Sequence, residues 1–530
     1  MPGHSLTPLI RYMSHVKAWI TGPHIGINRS RQSLSETEHD LIAALLSPNQ
    51  LAAQRMIAMR DAMFAGQHIN SSEDRGVGHW ALRQAGDAVL GSALPQKFSP
   101  NGEDLLPRMR QEHKKTYSLV QAIQSGKRRA SNGQPFKHIV HLGIGGSDLG
   151  PQLLIDALRT GAQNPAVSAH FLSNVDYHAV DRLLRLLDPA VTLVVVVSKS
   201  FSTQETMLNA DHLRRWMRAS GLPNIEQHFI GITHQLDIAL QWGITQDMLL
   251  WFDESIGGRF SLWGPVSLTA RVVLGNSAVD QFLQGGIDMD QHFLVTPLAS
   301  NLPAVLAASD FYNLRHRQLP TLMVSAYDSR LALLVPFLKQ LWMESLGKQV
   351  DVHGRPLSGP ACPILWGDVG TNSQHAFFQL LHQGLQGVAI DLIGVLTPDH
   401  NAQESHRALT ANLLAQAQAL SIGRETTDNT KNCLGGHPVN LLMLDALSPV
   451  SLGALIALWE HRVLCLAAFS HINPFDQWGV ELGKTIAQAV EKSLGAPAAP
   501  RGSDTNKDDE ADLDSISQNT IAWLRSAPKF

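Results

Sequence analysis

Five hundred and thirty residues exceed what one hydrophobic core usually organises, so two or more domains or one large α/β assembly is expected. A hydrophobic share of 44% with 17% charged residues excludes a disordered acidic or basic chain, and 42 basic against 46 acidic side chains leave a formal charge of −4, without the global positive field that recruits nucleic acid or anionic lipid. An anionic ligand must therefore be held locally. The 3 cysteines, Cys362, Cys433 and Cys465, are odd in number and far apart, match neither a disulfide framework nor a zinc-ligand spacing, and fit a reducing, cytoplasmic compartment.

The first residues carry Arg11, His15 and Lys17 among short apolar stretches, without the apolar run and cleavage site of a secretory signal, and read as mature protein. From about 34 to 112 a helix-like periodicity, opened by the capping-type stretch Ser35-Glu-Thr-Glu-His, predicts a helical N-terminal lobe. From His138 short β-rich runs alternate with amphipathic stretches: Ile139-Val-His-Leu, Ala169-His-Phe-Leu, Val191-Thr-Leu-Val-Val-Val-Val and His228-Phe-Ile-Gly-Ile. Such alternation builds βαβ units and a parallel sheet, with the valines at 194–197 buried on both faces.

A second series runs through Thr321-Leu-Met-Val-Ser, a helix from about 330 to 346, Pro363-Ile-Leu-Trp, a helix from about 373, Gly387-Val-Ala-Ile-Asp-Leu-Ile and helices beyond 404. Two similar α/β domains are the expectation. The longest apolar segment, 450–469, is interrupted by Glu460, His461 and Arg462 and reads as a buried helix, not a membrane span. Residues 495–514, small, proline-containing and then acidic, read as a solvated linker, followed by a last short helix over 516–526.

Two loops carry phosphate-binding chemistry. Gly143-Ile-Gly-Gly-Ser-Asp-Leu-Gly-Pro follows the strand at 139–142, with a helix expected to start near Asp148. Free N–H groups, a helix dipole and the Ser147 hydroxyl there converge on an anion site. A dinucleotide fingerprint would need glycine where Asp148 stands, and a tight turn alone would also use such glycines. After the valine strand comes Ser198-Lys-Ser-Phe-Ser-Thr-Gln-Glu-Thr, whose hydroxyls and Lys199 ammonium offer directional donors and charge to a phosphate; a helix N-cap would account for only one or two of them. Both loops follow strands of one sheet, where α/β folds place ligands, so a phosphorylated small molecule is inferred. Gly479-Val-Glu-Leu-Gly-Lys-Thr resembles a nucleotide P-loop but has three residues between its glycines instead of four, and is rejected as one.

Four further segments are dense in polar groups: Gly257-Gly-Arg-Phe-Ser, Met343-Glu-Ser-Leu-Gly-Lys, Gly370-Thr-Asn-Ser-Gln-His-Ala-Phe and Phe475-Asp-Gln-Trp-Gly-Val-Glu-Leu-Gly-Lys. Arg259 after two glycines can steady an oxyanion or make a structural ion pair. Glu344, near the end of an apolar helix, can serve as a base or as a solvated helix-end charge. His375 is expected in the first turn of a helix, as a functional or a capping histidine. Gln477, Glu481 and Lys484 are spaced along one helix face, where i, i+3 Glu–Lys pairing is also an ordinary stabiliser.

In chain order over most of residues 69 to 494, these six segments resemble the glucose-6-phosphate isomerase, or phosphoglucose isomerase, family. The resemblance implies an α/β fold of two sugar isomerase (SIS) domains, each a mainly parallel β-sheet flanked by helices in a three-layer αβα sandwich, with additional N- and C-terminal helices. The boundaries expected are 1–112 for an N-terminal helical segment packing on the second domain, 113–285 and 286–494 for the two SIS domains, 495–515 for the linker and 516–530 for the last helix. It further implies that Gly146, Ser147, Ser198, Lys199, Ser200, Thr203 and Gln204 hold the substrate phosphate, with Gln477 lining the sugar site. Glu344 would move a proton between C1 and C2, Arg259 would steady the enediolate, and His375 and Lys484 would assist ring opening.

The partner implied is a second copy of the chain, a homodimer in which His375 is given across the interface; the ligand is a sugar phosphate, with no nucleic acid and no membrane. No cofactor and no metal is expected, because moving one proton between adjacent carbons needs only a base that reaches both and a positive group beside the oxygens. Leu346 stands where the family commonly has Asn, Ser200 and Ser202 where it has threonines, and His141 where Asn is common before the glycine-rich loop. None removes a catalytic group, so these departures bear on supporting hydrogen bonds and sugar preference more than on reaction type. A non-catalytic sugar-phosphate sensor would keep the phosphate loops and lose the base and arginine, yet Glu344, Arg259, His375 and Lys484 are all present. Additional action on mannose 6-phosphate depends on pocket shape, which the residues alone leave open.

Overall fold

The chain is described by a computed structural model, which covers residues 19–32, 34–86, 93–159, 167–495 and 513–526. Arg11, His15 and Lys17 and the expected linker, apart from residues 495 and 513–515, lie outside the described residues. The chain divides into two compact units, 1–475 and 476–530.

The first unit begins with strands β1 (Trp19–Thr21) and β2 (Ile25–Arg31), paired antiparallel. These correct the expectation of a wholly helical segment before residue 113. Ile25 and Ile27 are buried, and β2 runs antiparallel along a strand formed more than 400 residues later, a partner that local periodicity does not register. Helices Glu36–Leu45 and Leu51–Phe64 follow, the first closed by the expected capping box between Ser35 and Glu38.

The sheet predicted from His138 onward forms from β3 (His138–Leu142), β4 (Ser168–Leu172), β5 (Thr192–Val197), β6 (Phe229–Thr233) and β7 (Leu249–Trp251). Its order is β4-β3-β5-β6-β7 and every pair is parallel. Central β5 reads Thr-Leu-Val-Val-Val-Val and is buried at all six positions, as a β-branched strand covered on both faces must be. Helices Leu149–Leu158 and Gln204–Ala219 leave the ends of β3 and β5, which sets the two phosphate-type loops side by side.

The second series gives β8 (Thr321–Ala326), β9 (Ile364–Val369), β10 (Ala389–Thr397) and β11 (Val439–Ala446), parallel to one another, in a six-stranded sheet of order β1-β2-β11-β10-β8-β9. Helix Leu334–Leu346 packs on β8 and β9 and carries Glu344 near its end.

Helix Pro449–Ser470 is long and apolar enough to cross a membrane, but the window that passes this test is wholly buried within the protein, packed against Asn276–Val295, Leu302–Arg315 and Leu51–Phe64. Its Glu460, His461 and Arg462 are paired in the core. Arg462 donates to both oxygens of Asp310, at 2.6 and 2.7 Å, and to Asp391 at 2.5 Å. Glu460 accepts from Arg83 and from Trp263 Nε1, and His461 pairs with Asp290, which also accepts from Arg83. Removing one member of such a buried set leaves an uncompensated charge, so these residues specify how the helix is seated.

The second unit contains a short turn, Trp478–Val480, and helices Glu481–Gly495 and Ser515–Ser526, which contact each other.

Candidate active site

The glycine-rich loop after β3 makes one 3₁₀ turn, Gly145–Ser147, before the helix that starts at Leu149 with Asp148 at its N-cap. Two glycines are required there by close approach. A Cβ on Gly143 would stand 2.9 Å from Ser147 O, and one on Gly146 only 2.1 Å from Gly258 O and 2.5 Å from Arg259 N. The turn thus lies directly on the peptide that carries Arg259.

Arg259 is 2% exposed and held on three sides. Its Nε donates to Ser345 Oγ at 2.7 Å, its Nη2 to Pro474 O at 2.5 Å, and its Nη1 stands 3.4 Å from Glu344 Oε2. Both sequence readings of Arg259 meet here, because the carboxylate it pairs with is the candidate base. Glu344 lies in the last turn of a mainly apolar helix with its side chain 30% exposed, so it remains reachable while the arginine is locked. Gln340, one helical turn earlier, offers Nε2 at 3.3 and 3.4 Å to the two Glu344 oxygens, and Lys348 Nζ donates to Glu344 O at 2.8 Å.

The second loop follows β5. Ser198 is buried and its Oγ lies 3.0 Å from Thr203 Oγ1, so Thr203, although it is the N-cap residue of Gln204–Ala219, does not spend its hydroxyl on the helix. Phe201 adopts φ 50°, a left-handed conformation unusual for an aromatic residue, with its ring buried. Ser200 is exposed and accepts from Ser202 Oγ at 2.8 Å. Lys199 Nζ donates to Glu254 O at 2.6 Å; burial, and then the Arg75 charge, lower its pKa. Gln204 is exposed at the first helical position.

The structure therefore brings Gly146, Arg259 and Glu344 together, and sets Ser147 and the 198–204 loop at the carboxyl ends of the neighbouring strands β3 and β5. His375 is exposed just beyond the five-residue helix Gly370–Gln374, at its C-cap, and not in a first helical turn. The helix instead begins directly at the end of β9, with Gly370 so close to Tyr327 that a Cβ there would stand 2.7 Å from its Cγ. In the second unit Lys484 Nζ pairs with Glu481 at 2.8 Å, the ordinary i, i+3 arrangement, while Gln477 caps the turn that precedes their helix.

Sequence reading did not single out Gln340 or assign Ser345 a role. A glutamine four residues before Glu344 on a helix is detectable from spacing, since i and i+4 side chains share a face. Nothing local points to Ser345, whose partner is 86 residues away.

Comparison with known proteins gives concordant results. The sequence profile described as phosphoglucose isomerase matches residues 30–508. A glucose-6-phosphate isomerase of Rhizorhabdus wittichii is 41% identical over 463 residues, covering 87% of each chain. One of Burkholderia multivorans is 39% identical over 496 residues, covering 91% of this chain and 87% of that one. The crystal structure of a glucose-6-phosphate isomerase from Chlamydia trachomatis aligns over 92% of both chains with a TM-score of 0.80 at 30% identity. A profile match over nearly the whole length, joined to identity at this level, leaves one assignment: the chain belongs to the phosphoglucose isomerase family.

Proposed function

We propose that the chain is a glucose-6-phosphate isomerase that interconverts glucose 6-phosphate and fructose 6-phosphate, in glycolysis and gluconeogenesis, through a cis-enediolate. Glu344 takes the C2 proton of the open-chain aldose and returns it at C1, while the hydroxyl proton passes from O2 to O1. Arg259 faces the oxygens where negative charge develops; fixed donors beside developing charge need no reorganisation as the reaction proceeds. Gly146, Ser147, Ser198, Lys199, Ser200, Thr203 and Gln204 hold the phosphate, Gln477 lines the sugar, and Lys484 with His375 assists ring opening. The reaction so written calls on neither metal nor nicotinamide.

The observation that carries this reading is the Arg259–Glu344 pair at 3.4 Å, with the Gly146 turn packed on the arginine's own peptide. Base, charge stabiliser and phosphate loop then form one rigid constellation, and orientation by the remote phosphate serves the chemistry at C1 and C2. The SIS-domain boundaries 113–285 and 286–494, a cytoplasmic location and a homodimer belong to the same proposal. The exposure of His375 supports donation across the dimer interface.

The test is NMR of the purified protein with glucose 6-phosphate in D₂O, with mannose 6-phosphate in parallel. Fructose 6-phosphate formation with solvent deuterium at C2 of the recovered aldose is expected. Binding of the sugar phosphate without ketose or exchange would overturn the assignment.

A further inference from the structure

The imidazole of His141 sits beneath the glycine-rich loop, fully buried in β3. Its Nε2 is 2.6 Å from Ser147 O and its Nδ1 is 2.8 Å from Thr269 Oγ1. A carbonyl only accepts, so Nε2 carries the hydrogen; Nδ1 of the neutral ring is then the acceptor, and Thr269 donates to it. The tautomer is thus decided by the Ser147 carbonyl, to which the Thr269 hydroxyl adapts. Burial keeps the ring neutral, with its pKa pushed down to about 4. The ring also packs 5.1 Å from that of Phe171, its directly opposed neighbour on β4.

The contact is directed at the loop. Ser147 O is held between the His141 N–H and the bare Cα of Gly143, where any side chain would collide with it. On the other side of the same turn Gly146 abuts Gly258 and Arg259. The Ser147 hydroxyl itself makes no hydrogen bond to another described residue. A buried donor that ends on a loop carbonyl fixes that peptide plane, and with it the direction of the side chain it carries.

We infer that His141 is a positioning residue for phosphate binding, which orients Ser147 through its Nε2–H while the Thr269 hydroxyl satisfies its Nδ1. The inference rests on the proposed function for the identity of the substrate, but it concerns the phosphate group alone. It separates affinity from chemistry, because the His141 ring hydrogen-bonds to Ser147 and Thr269 and to neither Glu344 nor Arg259.

The test compares His141→Phe, which keeps volume and ring packing but deletes the donor, with His141→Gln, whose amide N–H replaces Nε2–H. Isothermal titration with inorganic phosphate reads binding without turnover, and steady-state kinetics with glucose 6-phosphate reads KM and kcat. Loss of one neutral hydrogen bond is expected to weaken phosphate Kd and KM about five- to tenfold in His141→Phe, with kcat changed less than about twofold, and His141→Gln is expected to restore both. Should His141→Phe not fold, His141→Leu likewise deletes the Nε2–H donor with a smaller apolar side chain and is expected to show the same split. Unchanged phosphate Kd in the variant that folds, or equal impairment in Phe and Gln, would overturn the inference. A wild-type protein that binds phosphate without isomerising would instead remove the proposed function and leave the comparison of phosphate Kd values in force.

Discussion

Arg259 Nε donates to Ser345 Oγ at 2.7 Å, so the residue after the candidate base holds the candidate charge stabiliser. Both side chains are buried, and the helix that positions Glu344 thereby also aims the guanidinium. Ser345→Ala leaves the Nε–H without this acceptor and loosens one of the holds on the guanidinium. A hydrogen bond to a charged group is worth about 1.5–3 kcal/mol, so kcat is expected to fall roughly ten- to a hundredfold. KM should change little, since Ser345 is not on a phosphate loop. Wild-type kcat in steady-state assays would show that the contact does not position the arginine.

Glu344→Gln preserves shape and removes the base. A positioned base contributes about 10²–10⁴-fold, so kcat should drop by that order while a phosphate-bearing inhibitor binds as before. Turnover near that of the wild type would exclude Glu344 from proton transfer.

Gly146→Ala places a methyl group 2.1 Å from Gly258 O and 2.5 Å from Arg259 N, backbone atoms that cannot swing aside. The phosphate turn and the arginine turn must then separate. Overpacking of this kind costs about 1–3 kcal/mol, and because both functions share the contact, KM should rise and kcat fall together, each about tenfold. A change confined to one constant would mean that the two loops are not coupled.

His141 makes one contribution to the pH dependence of stability, because its folded pKa of about 4 lies below the unfolded value of 6.5. The unfolded chain binds the proton first, so this group's contribution is fully present above 6.5 and is lost as pH falls toward 4. His141→Gln does not titrate. Its stability relative to the wild type should therefore improve by about 1.4 kcal/mol per pH unit across that window, read by urea unfolding at several pH values. A constant difference between the two proteins from neutrality to acid would contradict a buried neutral imidazole.

His375 and Lys484 show where local reading was least informative. The motif around His375 was visible, yet its place at the C-cap of a five-residue helix follows from a helix that starts at Gly370, directly after β9. For Lys484 the i, i+3 spacing to Glu481 predicted the ion pair that forms, and the same spacing could not include Gln477, because the helix begins only at Glu481. β1 and β2 went unread because β2, on which β1 pairs, is held in register by β11, and helix periodicity downstream carries no information about a strand that pairs across the whole chain.

By itself the sequence determined the alternation of strands and helices, the two loops at the ends of β3 and β5, and the six segments that assign the family, because each depends on neighbours within a few residues: β-branched runs, glycine turns and hydroxyl-rich helix starts. Tertiary structure alone decided that Arg259 meets Glu344 and Ser345 across 85 and 86 positions, that Gly146 must be bare because Gly258 presses on it, and that His141 reaches Ser147 with a tautomer set by that carbonyl. The physical reason is that burial and hydrogen-bond direction are properties of the packed interior. They bring together groups from β3, the 258–263 turn and helix Leu334–Leu346 that no spacing along the chain relates.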